Sequence, residues 1–420
     1  MVSKSLLISR LFFLSVLSAY CISIFNPDHV RPFFYTSVFL SILGLIVERR
    51  SFSANKWFPL ALLMYALGHF AWLKWHGLPH DIDEYGIYKS YRNVAKYIFW
   101  SVPMIYYAIG MGQDKMKMKL ACFLPLTMAI FSLLVSILAF REHWLLGGDR
   151  VALSFDGGTM VAYMMTIVHI LALHQILIWV QTRNERWFIP VLTLLGIIVV
   201  QYMSILLTET RAAIIVFPVL VTYMLLAASP LLCRRPIFIG VGGVLLLVLV
   251  LGYNSIIKPR FDSLKSDVVS YQVTPGEVTS VGARFSMWDA GWFAAKARPF
   301  GERIHERETL IHQAVDDGKL NEQVLGFLKI HLHDDMMETM SLRGLWGGAL
   351  LLILYVALAW QARLSRGAVR LGLTLVLGAM VAFGIGDVLF MWTKLVVLLL
   401  LSITLICFAW PGPIGAGRNV

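Results

Sequence analysis

The sequence predicts an all-α integral membrane protein, a polytopic bundle of about 12 transmembrane helices, and three observations carry that expectation. Hydrophobic residues make up 58% of the 420-residue chain and charged residues only 15%, more apolar surface than a soluble core can bury. Apolar windows able to cross a hydrocarbon layer of roughly 30 Å recur along nearly the whole length. Period-two alternation is missing, so helices rather than a closed barrel satisfy the backbone in lipid.

The windows run in order from the N-terminus: Leu11–Phe25, Phe33–Val47, Trp57–Leu73, Tyr97–Met111, Leu120–Phe140, Met160–Val180 and Trp187–Leu207. Ala212–Ala228, Ile237–Tyr253, Leu345–Trp360, Leu371–Phe390 and Leu395–Trp410 complete the set. The first follows Lys4 and Arg10 like a signal peptide, but no small-residue cleavage site comes after it, so it is expected to be a retained helix. The cysteines, Cys21, Cys122, Cys233 and Cys407, fall in or beside the windows and imply no disulfide framework.

A net charge of +11 would suggest nucleic acid in a soluble chain, but its placement here gives an orientation. With Lys4 in the cytoplasm, the same side gathers Arg49, Arg50 and Lys56, then Lys115, Lys117 and Lys119, then Arg183 and Arg186. Arg234, Arg235, Arg363, Arg366, Arg370 and Arg418 follow, with Glu48, Asp114 and Glu185 as the chief acids. Cytoplasmic enrichment of lysine and arginine therefore predicts that both termini are inside.

One long polar segment interrupts the pattern on the exported side. It divides the chain into spans 1–9 (residues 1–253), a large loop (254–343), and spans 10–12 with the C-terminus (344–420). Phe285, Met287, Trp288, Trp292, Phe293, Phe327 and Leu328 recur there at helical spacing, which predicts short helices roofing the bundle. Shorter exported loops are expected at Lys74–Lys96 and Arg141–Gly158.

Three constellations can do chemistry. In Leu207-Thr208-Glu209-Thr210-Arg211-Ala212-Ala213 two spans meet with almost no loop, and an arginine at that depth faces a cavity, snorkels, or pairs with Glu209. In Val281-Gly282-Ala283-Arg284 the glycine permits close backbone approach, and Arg284 sits near a helix start, where anions are favoured. The alternative there is a surface pair with Asp289. Lys258 and Arg260 on the same loop extend it to a basic pocket for phosphate, which suits the bidentate, permanently charged guanidinium.

The third constellation is His331-Leu332-His333-Asp334-Asp335-Met336-Met337-Glu338. A histidine near phosphate-binding arginines can be a base or a positioned donor. A metal bound by His331, His333 and Asp335 is a second reading, although an oxygen-rich Mg²⁺ or Mn²⁺ site prefers more carboxylates, and a satisfied structural pair of histidines is a third. Asp387, in Gly384-Ile385-Gly386-Asp387, can orient an arginine or Lys394. Asp81-Ile82-Asp83-Glu84 resembles a metal-binding Asp-x-Asp element, and a loop of acids is the plain alternative. His69, His169 and His174 lie within spans and read as packing or interhelical hydrogen-bond residues.

In order, Leu-Thr-x-Thr-Arg-Ala at 207–212, Gly-Ala-Arg at 282–284 and His-x-His-Asp at 331–334 before Ser341-Leu342-x-Gly344-Leu345 resemble the bacterial O-antigen ligase family. So does Tyr-x-Ser-Tyr-x-Asn-x-Ala-Lys at Tyr88–Lys96. Asp334 stands where many relatives have asparagine. The resemblance implies a glycosyltransferase of the inner membrane, acting on the periplasmic face in lipopolysaccharide biosynthesis with no cofactor, metal or nucleotide. It would move O-antigen by inverting transfer from undecaprenyl pyrophosphate to a sugar of lipid A core. His333 would activate the acceptor hydroxyl, Arg211 and Arg284 would hold the pyrophosphate, and Lys258, Arg260, His331 and Asp387 would help bind substrate. An O-antigen polymerase, or a transporter of lipid-linked sugars, is the alternative.

Overall fold

The computed structural model describes residues 4–25, 27–48, 55–77, 82–111, 123–153, 157–182, 188–227, 262, 280–328 and 331–409. The ninth predicted span, Lys258, Arg260 and many of the orienting cations lie outside the described residues. Thirteen α-helices and no strand occur among the described residues. Six of these helices are long and apolar enough to cross a membrane, and three shorter apolar stretches accompany them.

Helices α1 (Lys4–Ser23), α2 (Val30–Glu48), α3 (Trp57–His76) and α4 (Ile82–Met111) form one group. A second comprises α5 (Leu124–Leu145), α6 (Gly158–Thr182), α7 (Phe188–Leu206) and α8 (Arg211–Ala227). After α9 (Ser280–Ala297) and α10 (Ile304–Asp316), the helices α11 (Asp335–Leu364), α12 (Gly367–Gly384) and α13 (Thr393–Ala409) complete the chain. Helix α13 packs on α1, α4 and α6, and α12 packs on α6, α8, α11 and α13, so the C-terminal pair joins the two groups. Helix α6 is buried throughout its membrane-length window, which explains why it is apolar all round rather than on one face.

Two boundaries differ from the hydropathy pattern for one physical reason. Helix α4 starts at Ile82 and absorbs much of the predicted Lys74–Lys96 loop, and α11 starts at Asp335 rather than Leu345. Both extensions carry polar residues that are buried against one another, and hydropathy cannot tell such residues from loop residues. Asp81 lies outside the described residues, and the Ile82-Asp83-Glu84 part of that acidic element opens α4. The predicted interhelical roles of the three span histidines are observed. His169 hydrogen-bonds Ser132 and Ser204, His174 reaches the Ala368 carbonyl, and His69 meets the Tyr65 carbonyl and Arg343.

Helices α9 and α10 occupy the described part of the predicted long loop, and α9 packs on α11. The turn after α9 locks onto a kink in α11. Gly344 has φ 72°, and a Cβ there would collide with the Pro299 carbonyl oxygen, so only glycine fits. The Leu345 N–H donates to that same carbonyl at 3.0 Å, and the Glu302 N–H donates to Leu342 O at 2.9 Å. Trp72 Nε1 donates to the Glu302 carbonyl at 3.2 Å, which ties α3 to the same turn.

Candidate active site

The His-x-His segment is a short extended stretch that ends where Asp334 caps α11. The Asp334 backbone is extended, and its carboxylate accepts the Met337 N–H at 2.8 Å, an N-cap that satisfies one orphan donor of the helix. Just before the cap, His333 adopts φ 49°, a left-handed conformation that costs energy in a non-glycine residue. Its N–H donates to Nδ1 of His331 at 3.2 Å. A neutral His331 therefore keeps its proton on Nε2, which faces Asp387 Oδ1 at 3.6 Å.

His333 Nδ1 lies 3.8 Å from the same Asp387 oxygen, and the two imidazole rings are 4.1 Å apart. His331 is buried, whereas His333 is 31% exposed and is the ring that a substrate can reach. Burial pushes the His333 pKa down to about 4; His331 and Arg284 add to the depression, and Asp387 opposes it. His333 is therefore neutral at pH 7, with a carboxylate poised to stabilise its protonated form. Asp387, which sequence alone associated with an arginine or Lys394, faces the two histidines and lies beside Tyr163.

Ligand atoms of His331, His333 and Asp387 all lie within 4.8 Å of one another, a spacing that a metal ion could also use. The acid differs from the one sequence spacing suggested. Asp335 instead accepts the Phe390 N–H and the Tyr355 hydroxyl, each at 3.2 Å.

Beneath the histidines sits a buried ion pair. Glu338 Oε2 accepts Arg307 Nη1 at 2.9 Å and the Leu332 N–H at 3.0 Å, while Oε1 accepts the Tyr91 hydroxyl at 2.7 Å. Arg307 also donates to Ser341 Oγ at 3.0 Å. One carboxylate thus fastens the backbone between the two histidines to α4, α10 and α11. Sequence reasoning passed over Arg307, yet a signal was present: it interrupts the inward stripe Ile304, Ile311 and Ala314 of an otherwise amphipathic helix. A second buried arginine, Arg343, donates to Thr339 at 2.7 Å, meets His69, and lies over the Tyr91 and Trp72 rings.

The arginine side is assembled by the tight α7–α8 turn, where Glu209 takes φ 52° and Arg211 opens α8. Arg150, absent from the sequence candidates, braces that turn. Its Nε donates to Thr208 O at 2.6 Å, and its Nη2 donates to Thr210 and Thr159 hydroxyls at 2.8 and 2.9 Å. Arg284 is exposed on α9, just past its first turn, and its charge reaches both His333 and Tyr163. The charge of Arg150 also reaches Tyr163, the residue beside Asp387, so His331, His333, Asp387, Arg150 and Arg284 share one neighbourhood.

The chain is similar to known proteins over the same residues. The profile of the O-antigen ligase family matches residues 197–352, the stretch holding Arg211, Arg284 and His333. An O-antigen ligase of Escherichia coli (strain K12) is 27% identical over 384 residues, 90% of this chain and 87% of that protein. An uncharacterized protein of Haemophilus influenzae is 28% identical over 165 residues, 37% of this chain and 40% of its own length. With three motifs in matching order and similarity along nearly its whole length, the chain is similar to the O-antigen ligase family.

Proposed function

We propose that the protein is a multi-pass inner-membrane glycosyltransferase of lipopolysaccharide biosynthesis. It takes O-antigen polysaccharide from undecaprenyl pyrophosphate and attaches it to a sugar of lipid A core on the periplasmic face, with both termini cytoplasmic. The observation that carries this reading is a neutral, partly exposed His333 beside Asp387, within reach of the charge of Arg284.

In the reaction, an acceptor hydroxyl oxygen attacks the anomeric carbon of the first donor sugar from the side opposite the pyrophosphate, which inverts that centre. His333 takes the hydroxyl proton as the C–O bond forms, a contribution typically worth about 10² to 10⁴ in rate. The bond to the pyrophosphate breaks and its electron pair leaves with undecaprenyl pyrophosphate. Arg211 and Arg284 meet the charge developing on that leaving group, so no general acid is required. Asp387 stabilises the imidazolium until the proton passes to water. Neither nucleotide nor metal takes part in these steps.

Purified protein mixed with lipid-linked O-antigen and lipid A core, in buffer containing EDTA and no nucleotide, tests the proposal directly. Polysaccharide joined to lipid A core is expected. Loss of transfer in EDTA with recovery on adding Mg²⁺ would assign the His331, His333 and Asp387 cluster to a metal. Longer lipid-linked polymer without ligation would make the enzyme a polymerase.

A further inference from the structure

The stretch Tyr88–Lys96 supplies two faces of α4, and the proposed chemistry uses only one. Tyr91 supports Glu338, and the Tyr88 hydroxyl accepts the Ile304 N–H at 3.2 Å, so this face holds the histidine loop and α10. Ser90 and Asn93, three residues apart, instead line a cavity of about 270 Å³. Asp28, in the turn between α1 and α2, and Arg31, at the start of α2, are exposed at its edge. Trp392 and Lys394, leading into α13, are half-buried in its wall.

Trp392 is also a wall of the candidate active site. Its ring lies 6.2 Å from that of His331, which stands 4.1 Å from His333. A molecule in the cavity is therefore separated from the histidine pair by a single indole. Arg211 and Arg284, by contrast, belong to α8 and α9, which contribute nothing to this lining.

We infer that this cavity is a saccharide-binding subsite of the transferase, holding one sugar unit next to His333. Hydroxyl groups both donate and accept, and the lining offers both partners: Arg31 and Lys394 donate, Asp28 and Ser90 accept, and the Asn93 amide does each. An acyl chain would bring only apolar surface to this polar lining. A bare phosphate would meet the Asp28 carboxylate. The indole gives the C–H face of a pyranose an apolar surface, and the volume suits roughly one or two rings. The sugar belongs either to the acceptor core or to the donor polysaccharide, and this assignment rests on the transfer reaction proposed above.

Steady-state kinetics on full-length protein separate the two sources. Asn93→Leu fills the cavity and removes the amide, and Asn93→Asp keeps the size while removing the donor. Either variant should raise the KM for one substrate about ten-fold or more with kcat nearly unchanged. A raised KM for lipid A core identifies the acceptor sugar, and a raised KM for the lipid-linked donor identifies its glycan. Calorimetry with deacylated core oligosaccharide, and with O-antigen polysaccharide freed from its lipid, gives a readout that needs no turnover. Binding that weakens in both variants supports the subsite even if wild-type protein fails to transfer, in which case the transferase reading alone falls. Unchanged KM values together with unchanged saccharide binding would overturn the subsite.

Discussion

Arg307 and Glu338 form an ion pair 2.9 Å long, with each side chain only 1% exposed, directly under the backbone that links the two histidines. A buried pair adds little net stability over an apolar packing, but removing one partner strands a charge. Arg307→Ala should therefore cost about 3–5 kcal/mol and lower the yield of folded protein. Glu338→Gln keeps the shape but offers a single acceptor oxygen to three donors. It should insert normally and transfer about ten-fold more slowly, because the Leu332 N–H or the Tyr91 hydroxyl loses its anchor. Wild-type thermal stability and wild-type kcat in both variants would show that the pair does not hold the histidine loop.

The kink in α11 gives a sharper stability test. At Gly344 an added methyl meets the Pro299 carbonyl in a left-handed backbone, whereas a Cβ at Gly196 or Gly326 meets nothing within 4 Å. Gly344→Ala should lower the melting temperature of the purified protein markedly, by strain of about 1–3 kcal/mol plus the clash. Gly326→Ala should leave it nearly unchanged. Equal melting temperatures for the two variants would mean that the turn at 299–301 yields freely.

Much of the bundle was legible because transmembrane length and apolarity are written in consecutive residues, as in Leu120–Phe140 against the observed Leu124–Leu145. The starts of α4 and α11 were not legible. Tyr88, Tyr91, Glu338 and Arg343 look like loop chemistry until their partners, up to 274 residues away, are known. The same limit governs the site. His331, His333, Arg211 and Arg284 stand in local motifs, whereas Arg150 and Arg307 act through Thr208, Thr210 and Glu338, pairings that only the fold creates.

Orientation is testable without activity. Thr309, exposed on α10, and Arg366, exposed between α11 and α12, lie on opposite sides of the membrane if lysine and arginine enrichment sets the topology. Cysteine placed at 309 should react with an impermeant thiol reagent applied from the periplasm, and cysteine at 366 should not. The reverse labelling would invert the topology and move the histidines to the cytoplasm.

Arg211→Ala and Arg284→Ala should each reduce transfer to near zero while membrane levels stay normal, because both are proposed to hold the pyrophosphate. Lysine at either position keeps the charge but loses the fork, so rescue should be partial. Arg150→Ala should act differently, since its three hydrogen bonds go to the α7–α8 turn. A raised donor KM, with residual kcat, is expected. Wild-type donor KM in Arg150→Ala would separate that turn from donor binding.

His333 provides the decisive pH test. A base works as neutral imidazole, so activity falls as pH drops through its pKa, and an unperturbed histidine would place that fall near 6.5. Burial, with His331 and Arg284 nearby, lowers the His333 pKa to about 4, so the acidic limb of kcat/KM should lie well below 6.5. Asp387 pulls the other way, favouring the protonated ring. Asp387→Asn should therefore move the limb to still lower pH while slowing the reaction, because the imidazolium formed during transfer loses its carboxylate. His333→Ala should abolish turnover and spare donor binding. His331→Ala should cost less, since it removes a buried ring that accepts the His333 N–H and faces Asp387 but leaves the exposed imidazole in place. An acidic limb at 6.5 that Asp387→Asn leaves in place, or equal tolerance of both histidine substitutions, would take His333 out of the base role.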